Sequence, residues 1–354
     1  MIQERLKALR AEMEKRGITV YVVPTADFHE SEYVGDHFKA RKFITGFTGS
    51  AGTAVITLDE AGLWTDGRYF VQAENQLKDS TVTLYRMGEE GVPTADEFVK
   101  DRLKEGGCLG FDGRVVNGTW GGKLEKIAAE KNVSMHVTED LIDLIWEDRP
   151  ALSKQPLFIL EEKYSGKSTA DKIADLRKAM KENGADVHIL TSLYDIAWLL
   201  NIRGNDIDYV PVVLSYLVLN ETECIWFLQE EVVDDKIRAY LEENHITTKP
   251  YDAIYDYVPE IPADAVVLMN RGTVNYRIVN SLDKAIKVVD KPNPTELMKA
   301  VKNKTEVDNN RAAHVKDGVA FTKFMYWLKT NIGKIPMTEI SASDYLEARR
   351  REQD

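Results

Sequence analysis

Cysteine is almost missing from this sequence, since its 354 residues include two, Cys108 and Cys224. They lie far apart, each inside an apolar run typical of a β-strand. Their spacing fits neither a disulfide framework nor a thiolate metal site. Both are expected to be small, buried hydrophobic side chains.

The sequence also lacks long apolar runs and an excess of positive charge. No stretch approaches the roughly 18 apolar residues of a membrane-spanning helix, and the chain starts as an amphipathic helix rather than as a secretion signal. The net charge of −12 makes nucleic acids and anionic membrane surfaces unfavourable partners. We therefore expect a cytoplasmic protein that binds neither nucleic acid nor membrane.

What the sequence does contain is a repeated unit. Residues 2–16 carry one apolar helical stripe, Gly17 ends the predicted helix, and residues 20–23 form a predicted buried strand. The same helix, glycine and strand return 167 positions later. This pattern indicates an internal duplication. The matched positions are Leu9 with Leu176, Arg10 with Arg177, Met13 with Met180, Gly17 with Gly184, Val20 with Val187 and Thr25 with Ser192.

The rest of the first copy alternates between strands and helices, which predicts an α/β fold with helices flanking a sheet. In the second copy, residues 210–214 are the predicted counterpart of strand 53–57. The remaining predicted strands are 82–85, 108–111 and 133–136, and the helices are 94–104 and 118–131.

Two proline-containing junctions, 146–156 and 291–294, divide the chain. The predicted domains are residues 1–150, 156–291 and 294–354. The third has predicted helices but no strands for them to cover, so we expect a fragment of a longer domain. The apolar stripe of its helices should then either pack against the second domain or drive self-association. The stripe comprises Leu297, Ala300, Val301, Ala312, Val315 and Val319.

Residues 27–37 contain four acidic residues and two histidines, a composition that could bind a divalent cation. The segment lacks a helical i, i+4 histidine pair, and it carries Phe28, Tyr33 and Phe38 nearby for local packing. We therefore interpret it as a structured surface loop, with a metal site as the alternative.

The glycine-rich segment 46–52 resembles a phosphate-binding turn and nearly contains a nucleophile elbow around Ser50. Both motifs require a helix to follow, whereas a strand is predicted here. Neither phosphate binding nor a catalytic serine is assigned.

Asp66 and Arg68 flank a glycine at the end of a predicted strand. The two side chains could pair with each other as a structural ion pair, which we favour, or meet the charged end of a substrate.

Two long segments, residues 43–57 and 64–73, resemble the first domain of the three-domain, cytosolic-type aminopeptidase P family. Residues 191–204 are similar to the second domain of that family, and residues 311–320 with 338–342 are similar to the start of its third. The resemblance thus covers nearly the whole chain.

This resemblance implies two creatinase-type amino-terminal domains, each a mixed sheet with flanking helices, and then the start of a pita-bread catalytic domain. It implies an enzyme that removes the residue before proline from short peptides and forms homodimers in some cases. Two divalent cations, commonly manganese, would be held by two aspartates, a histidine and two glutamates that fall beyond Asp354.

No catalytic or metal residue is therefore assigned within this chain, and the chain alone is expected to be inactive. Asp66 and Arg68 are the substrate-cleft candidates, whereas His314 matches the opening helix of the third domain and is expected to be a helix-surface or packing residue. Two alternatives stay open. One is a natural non-catalytic module for dimerisation or peptide binding, and the other is a prolidase or creatinase with the same fold.

Overall fold

A computed structural model describes residues 1–353. The chain forms two compact units: Met1–Ile159 with Thr169–Glu296, and Leu160–Ser168 with the chain from Leu297 onward. The first unit contains both copies of the repeated pattern and two similar sheets.

The described strands are short and fall into two six-stranded sheets and one small two-stranded sheet. In chain order they are β1 (Val20–Pro24), β2 (Thr53–Thr57), β3 (Ala61–Thr65), β4 (Thr83–Arg86), β5 (Cys108–Phe111), β6 (Ser134–His136), β7 (Phe158–Ile159), β8 (Val187–Leu190), β9 (Ile202–Arg203), β10 (Ser215–Leu219), β11 (Cys224–Leu228), β12 (Thr247–Pro250), β13 (Val266–Met269) and β14 (Lys287–Asp290).

The helices flank these sheets or form the second unit. In chain order they are α1 (Ile2–Lys15), α2 (Ala40–Thr45), α3 (Phe70–Leu77), α4 (Ala95–Arg102), α5 (Gly118–Glu130), α6 (Glu162–Ser165), α7 (Thr169–Glu182), α8 (Leu193–Leu200), α9 (Asp235–Glu243), α10 (Ile254–Tyr257), α11 (Tyr276–Ser281), α12 (Pro294–Ala300), α13 (Lys304–Asn331) and α14 (Glu339–Arg351).

The two large sheets have the same topology. The first has the strand order β4-β3-β2-β1-β5-β6 and the second β12-β11-β10-β8-β13-β14. In each sheet two neighbouring pairings are antiparallel, β1–β2 and β2–β3 in the first and β8–β10 and β10–β11 in the second, and the other three pairings are parallel. The predicted duplication and the mixed α/β fold are confirmed. Each sheet with its flanking helices is called a domain below, the first around β1 and the second around β8.

Each domain begins with the predicted helix and glycine turn. Gly17 and Gly184 both have a left-handed φ, 67° and 65°. The residue after each glycine donates its N–H to the carbonyl five residues earlier, at 2.9 Å in the first domain and 3.0 Å in the second. This pattern satisfies carbonyls at the helix end and turns the chain into the strand.

The inner strands are buried on both faces of each sheet, whereas the edge strands β4, β6, β12 and β14 are partly exposed. In β1, Val20 and Val22 pack into one hydrophobic cluster, and Tyr21 and Val23 pack into another on the opposite face. Strands covered by helices on both faces are expected to be continuously apolar rather than alternating. Cys108 and Cys224 are buried in β5 and β11, as predicted, and burial raises the pKa of the Cys224 thiol to about 12.

The strand predicted at residues 210–214 is wrong, because the counterpart of β2 is β10, which begins at Ser215. Pro211 has no N–H to donate, Val212 N–H bonds locally to the Val210 carbonyl, and Leu214 N–H bonds to the Asp206 carboxylate. At these three positions the backbone N–H group is missing or bonded within the loop. Pairing with a neighbouring strand therefore starts at Ser215, one residue after the predicted strand ends.

The two domains meet along a pseudo-twofold seam between α5 and α11. Gly118 N–H donates to Val274 O at 2.8 Å, and Tyr276 N–H donates to Val116 O at 2.7 Å. A second pair repeats the exchange, from Thr119 to Arg271 O at 3.0 Å and from Arg277 to Gly113 O at 2.9 Å. Reciprocal contacts of this kind characterise an isologous interface, here formed within one chain.

The second unit consists of α6, most of α12, α13 and α14. Trp327 on α13 stacks on Tyr345 of α14, with ring centroids 4.0 Å apart, and Asn303 donates to the carbonyl of Ser165, the last residue of α6, at 2.8 Å. The predicted apolar stripe lies exposed: Leu297 and Val315 keep 70% and 69% of their surface accessible.

Candidate functional site

A cavity of about 800 Å³ in the first unit lies between the two domains. The first domain contributes residues 32–39, after β1, and the glycine segment 48–50; the second contributes residues 205–209, and the connection 150–155 lies between them. A volume of this size falls within the range of ligand sites. This cavity is called the interdomain cleft below.

The glycine segment is held in place by the buried guanidinium of Arg41. Its Nε donates to Thr25 Oγ1 at 2.9 Å, one terminal nitrogen donates to Phe47 O at 2.6 Å, and the other donates to Gly49 O. Burial lowers the pKa of Arg41 to about 10. The carbonyls point toward this cation, whereas a phosphate-binding turn presents its N–H groups.

Ser50 lies at the cleft wall and pairs with a phenol rather than with a base. Its Oγ is 2.6 Å from Tyr69 Oη, and no imidazole hydrogen-bonds to it among residues 1–353. The strand β2 follows the glycine segment directly, as predicted from the sequence. The arrangement lacks the base that activates a nucleophilic serine.

Asp66 and Arg68 form a bidentate ion pair. Arg68 Nε lies 2.9 Å from Asp66 Oδ1, and a terminal nitrogen lies 2.9 Å from Oδ2. Asp66 also accepts the Arg68 N–H and so caps the following 3-10 turn. Hydrogen bonds from Arg68 lower the pKa of the Asp66 carboxyl. The favoured structural pairing is therefore present.

The two substrate-cleft candidates differ in position. Asp66 lines a second cavity of about 350 Å³, which shares residues such as Thr25 and Ser50 with the interdomain cleft. Arg68 lines neither cavity and is 70% exposed. Asp66 thus lies beside the cleft, while a role for either residue in substrate binding stays a prediction.

The interpretation of residues 27–37 as a surface loop is wrong for its first part. Asp27, Phe28 and His29 are 1–2% exposed, and Phe28 belongs to the hydrophobic core of the second domain. Tyr33, by contrast, is 56% exposed. The loop enters the second domain because its apolar residues find a core there rather than packing on one another.

The sequence interpretation missed the residues that receive this segment. His29 hydrogen-bonds to Tyr251 Oη and to the Thr191 carbonyl, and Asn275 donates to the Phe28 carbonyl at 3.0 Å. These partners lie more than 150 positions away in sequence. A single sequence carries no local signal for such pairing, although an apolar residue next to a histidine in a polar loop was a clue to burial.

Among residues 1–353, no three His, Cys, Asp or Glu side chains lie together as a possible cation site. The described residues therefore do not fit a two-metal centre. Over the same residues, no helix has the length and apolar character to cross a membrane. His314 is exposed on α13, as predicted, and its Nδ1 lies 2.8 Å from the Asn310 carbonyl.

Both domains match known protein families. A family model of the creatinase/prolidase N-terminal domain matches residues 5–145. A second family model with the same description matches residues 148–306. The two matches correspond to the two copies of the six-stranded sheet.

Relatives of known class align over nearly the full chain. A probable Xaa-Pro aminopeptidase P of Sordaria macrospora is 38% identical over 99% of this chain and 59% of its own length. A probable Xaa-Pro aminopeptidase P of Laccaria bicolor is also 38% identical, over 99% of this chain and 55% of its own. The chain spans little more than half the length of these relatives.

A solved structure shows the same architecture. The X-prolyl aminopeptidase of Caenorhabditis elegans, described as a cytosolic enzyme with a di-nuclear active site, superposes with a TM-score of 0.93 and 31% identity. The match covers 100% of this chain and 60% of that one. The chain thus contains two creatinase/prolidase N-terminal domains, and it is similar over nearly its whole length to proteins of the aminopeptidase P family.

Proposed function

We propose that this chain is the amino-terminal part of a metal-dependent Xaa-Pro aminopeptidase, an enzyme that releases the residue preceding proline from short peptides. The observation that supports this most is the superposition of the whole chain, both domains and the helices after them, on an X-prolyl aminopeptidase. The fold alone would be compatible with other reactions.

We further propose that the metal ligands lie in sequence that the longer relatives have and this chain does not span. The described residues do not fit a two-metal centre, so no chemical step is assigned to them. The relatives exceed this chain by roughly the size of one large domain. In this proposal the cations are two, manganese by the family resemblance, and the 354-residue chain alone does not turn over substrate.

The interdomain cleft is the part of the substrate path that we assign to this chain. Its glycine wall is fixed by Arg41, and Asp66 lies in the adjoining cavity. Rigid walls on two domains would restrict the site to short peptides. We also propose that the protein is cytoplasmic, like its C. elegans relative, that it forms a homodimer, and that its domains are residues 1–150, 156–291 and 294–354.

The test compares two proteins and two peptides. The complete coding sequence and the 354-residue chain are each purified, and release of the first residue from an Xaa-Pro-Xaa peptide is measured with and without added manganese. The control peptide carries alanine in place of proline. We expect manganese-dependent turnover of the proline peptide by the complete protein alone.

Each other outcome changes the proposal. Turnover by the 354-residue chain would contradict the assignment of the metal ligands outside it. A preference for dipeptides would favour a prolidase, and equal rates on the alanine peptide would remove the proline specificity. No turnover by either protein would favour the non-catalytic module.

A further inference from the structure

His29 joins the two domains through both of its ring nitrogens. Nδ1 lies 3.1 Å from the carbonyl oxygen of Thr191, and Nε2 lies 2.6 Å from the hydroxyl of Tyr251. A carbonyl oxygen only accepts hydrogen bonds, so Nδ1 carries the proton, and Nε2 accepts from the Tyr251 hydroxyl. Both contacts therefore require a neutral imidazole ring with its proton on Nδ1.

The surroundings of His29 do not suit a charged ring. Its side chain is 2% exposed, and the ring centroid lies 4.5 Å from that of Tyr216. His136 contacts the carboxylate of Glu139, whereas His29 forms no ion pair among residues 1–353. Burial lowers the pKa of His29 to about 4, although Asp27 opposes part of the shift.

Several titratable and charged groups surround the buried segment, and none provides His29 with a direct counter-ion. They are Asp27 and Glu30 on its own loop, Asp112 and Arg114 after β5, Tyr194 on α8, Tyr216 on β10, and Tyr251 and Tyr255 after β12.

A proton added to Nε2 would remove the acceptor of the Tyr251 hydroxyl and place an N–H against it. The hydroxyl would have to turn to another acceptor, and a positive charge would stay buried between aromatic rings. A buried charge without a partner is strongly unfavourable. The charged ring gains hydration by leaving the second domain.

Movement of His29 would carry its neighbours along. The Phe28 side chain lies in the core of the second domain, and its carbonyl accepts from Asn275. Residues 32–39, which follow directly, line the interdomain cleft. A change at His29 is therefore transmitted to the cleft through the chain itself.

We propose that His29 is an acid-sensitive latch between the two domains: protonation of its ring releases residues 27–29 from the second domain and widens the interdomain cleft. This latch is a property of the two domains and does not rest on the proposed enzymatic activity.

The direction of the pH effect follows from the two pKa values. The closed latch has a His29 pKa of about 4, and the released ring would have the ordinary value near 6.5. The closed state is thus fully favoured above about pH 6.5 and loses its advantage as the pH falls to about 4. The opening constant rises at most tenfold per pH unit, and its total rise from well above pH 6.5 to well below pH 4 is roughly 300-fold.

The test is hydrogen exchange of the 354-residue chain at pH 7.5, 6.5 and 5, corrected for the intrinsic exchange rate. Three proteins are compared: the unaltered chain, His29→Gln, and His245→Gln as the control, because His245 is exposed. Between pH 6.5 and 5 we expect residues 25–39 to open roughly 15-fold more in the unaltered chain and in the control, and less than about threefold more in His29→Gln.

Three results would overturn the latch. One is an unaltered chain without the increase, the second is a His29→Gln variant that keeps it, and the third is a simultaneous loss of protection in β10, which would mean global unfolding. If His29→Gln does not fold, an NMR titration of the His29 ring in the unaltered chain decides. A pKa below about 5 supports the latch, and a value of 6.5 or higher contradicts it.

Discussion

The two domains share one sheet topology but differ directly after their first strand. In the second domain, α8 begins at Leu193, three residues after β8 ends at Leu190. In the first domain, residues 25–39 separate β1 from α2. This longer segment supplies Phe28 to the core of the second domain and lines the interdomain cleft.

The comparison distinguishes a feature that both copies share, the α5–α11 seam, from a feature of the first copy, the long segment after β1. The reciprocal backbone bonds at the α5–α11 seam are symmetric and hold the domains together. The segment after β1 is not symmetric, and it forms both the buried contact and the cleft wall. In this chain, the candidate site therefore depends on a difference between the copies rather than on their common fold.

The largest effect that would break the comparison is expected from Phe28→Ala. Although Phe28 belongs to the first domain, its 2% exposed ring fills the core of the second. Removal of a buried phenylalanine ring costs about 3–5 kcal/mol of unfolding free energy. Urea denaturation measures the loss. Phe158→Ala is the control, because Phe158 is 46% exposed, and a loss as small as that of the control would remove Phe28 from the core.

The next effect tests the seam itself. A Cβ atom on Gly121 of α5 would lie 2.1 Å from Cδ2 of Tyr276 on α11. Gly121→Ala should therefore force the helices apart and cost about 2 kcal/mol. Gly122→Ala is the matched control on the same helix, since open space surrounds its added Cβ, and it should stabilise the helix by up to about 1 kcal/mol. Equal effects of the two variants would show that the seam is not tightly packed.

A smaller effect is expected where the asymmetric segment meets Tyr251. Tyr251→Phe removes the hydroxyl that donates to His29 Nε2 and leaves a buried acceptor unpaired, which costs about 1–3 kcal/mol. Thermal or urea unfolding at pH 7.5 measures the loss. Tyr209→Phe serves as the control, because Tyr209 is fully exposed and its change should stay within about 0.5 kcal/mol. A neutral Tyr251→Phe would argue against the hydrogen bond.

The smallest effects sharpen the role of Asp66 and Arg68. Arg68→Ala should leave the urea midpoint unchanged, because the pair is exposed to solvent. Asp66→Ala should cost about 1 kcal/mol, since it also removes the cap of the following turn. Asp66→Asn retains the cap and is the control. A clear loss of stability in Arg68→Ala would mean that the ion pair itself holds the turn.

The sequence predicted those parts of the fold whose signals are local. The helix, glycine turn and strand at the start of each copy were predicted correctly, because the apolar spacing and the glycine that signal them lie within about twenty residues. The predicted strand at 210–214 failed because Pro211 and the Asp206 carboxylate reshape the backbone hydrogen bonding. Asp206 is close in sequence, but its role depends on the loop geometry.

The candidate site was predicted less completely than the fold. Asp66 was found from its position at a strand end, and the structure places it beside the cleft. Arg41, Tyr251 and the burial of His29 were missed, because each depends on contacts between distant parts of the chain. The sequence of residues 27–37 suggested a polar surface loop, and only the neighbouring domain makes it a buried connection.

The most direct test of the account is hydrogen exchange at four amides of the seam: Gly118, Thr119, Tyr276 and Arg277. Their hydrogen bonds are related by the pseudo-twofold axis, so a single opening of the interface exposes all four. We predict one common opening free energy for the four protons at pH 7.5, and a common decrease in Gly121→Ala. Opening free energies that differ between the two domains by more than about 1.4 kcal/mol, a tenfold difference in the equilibrium constant, would contradict a shared seam.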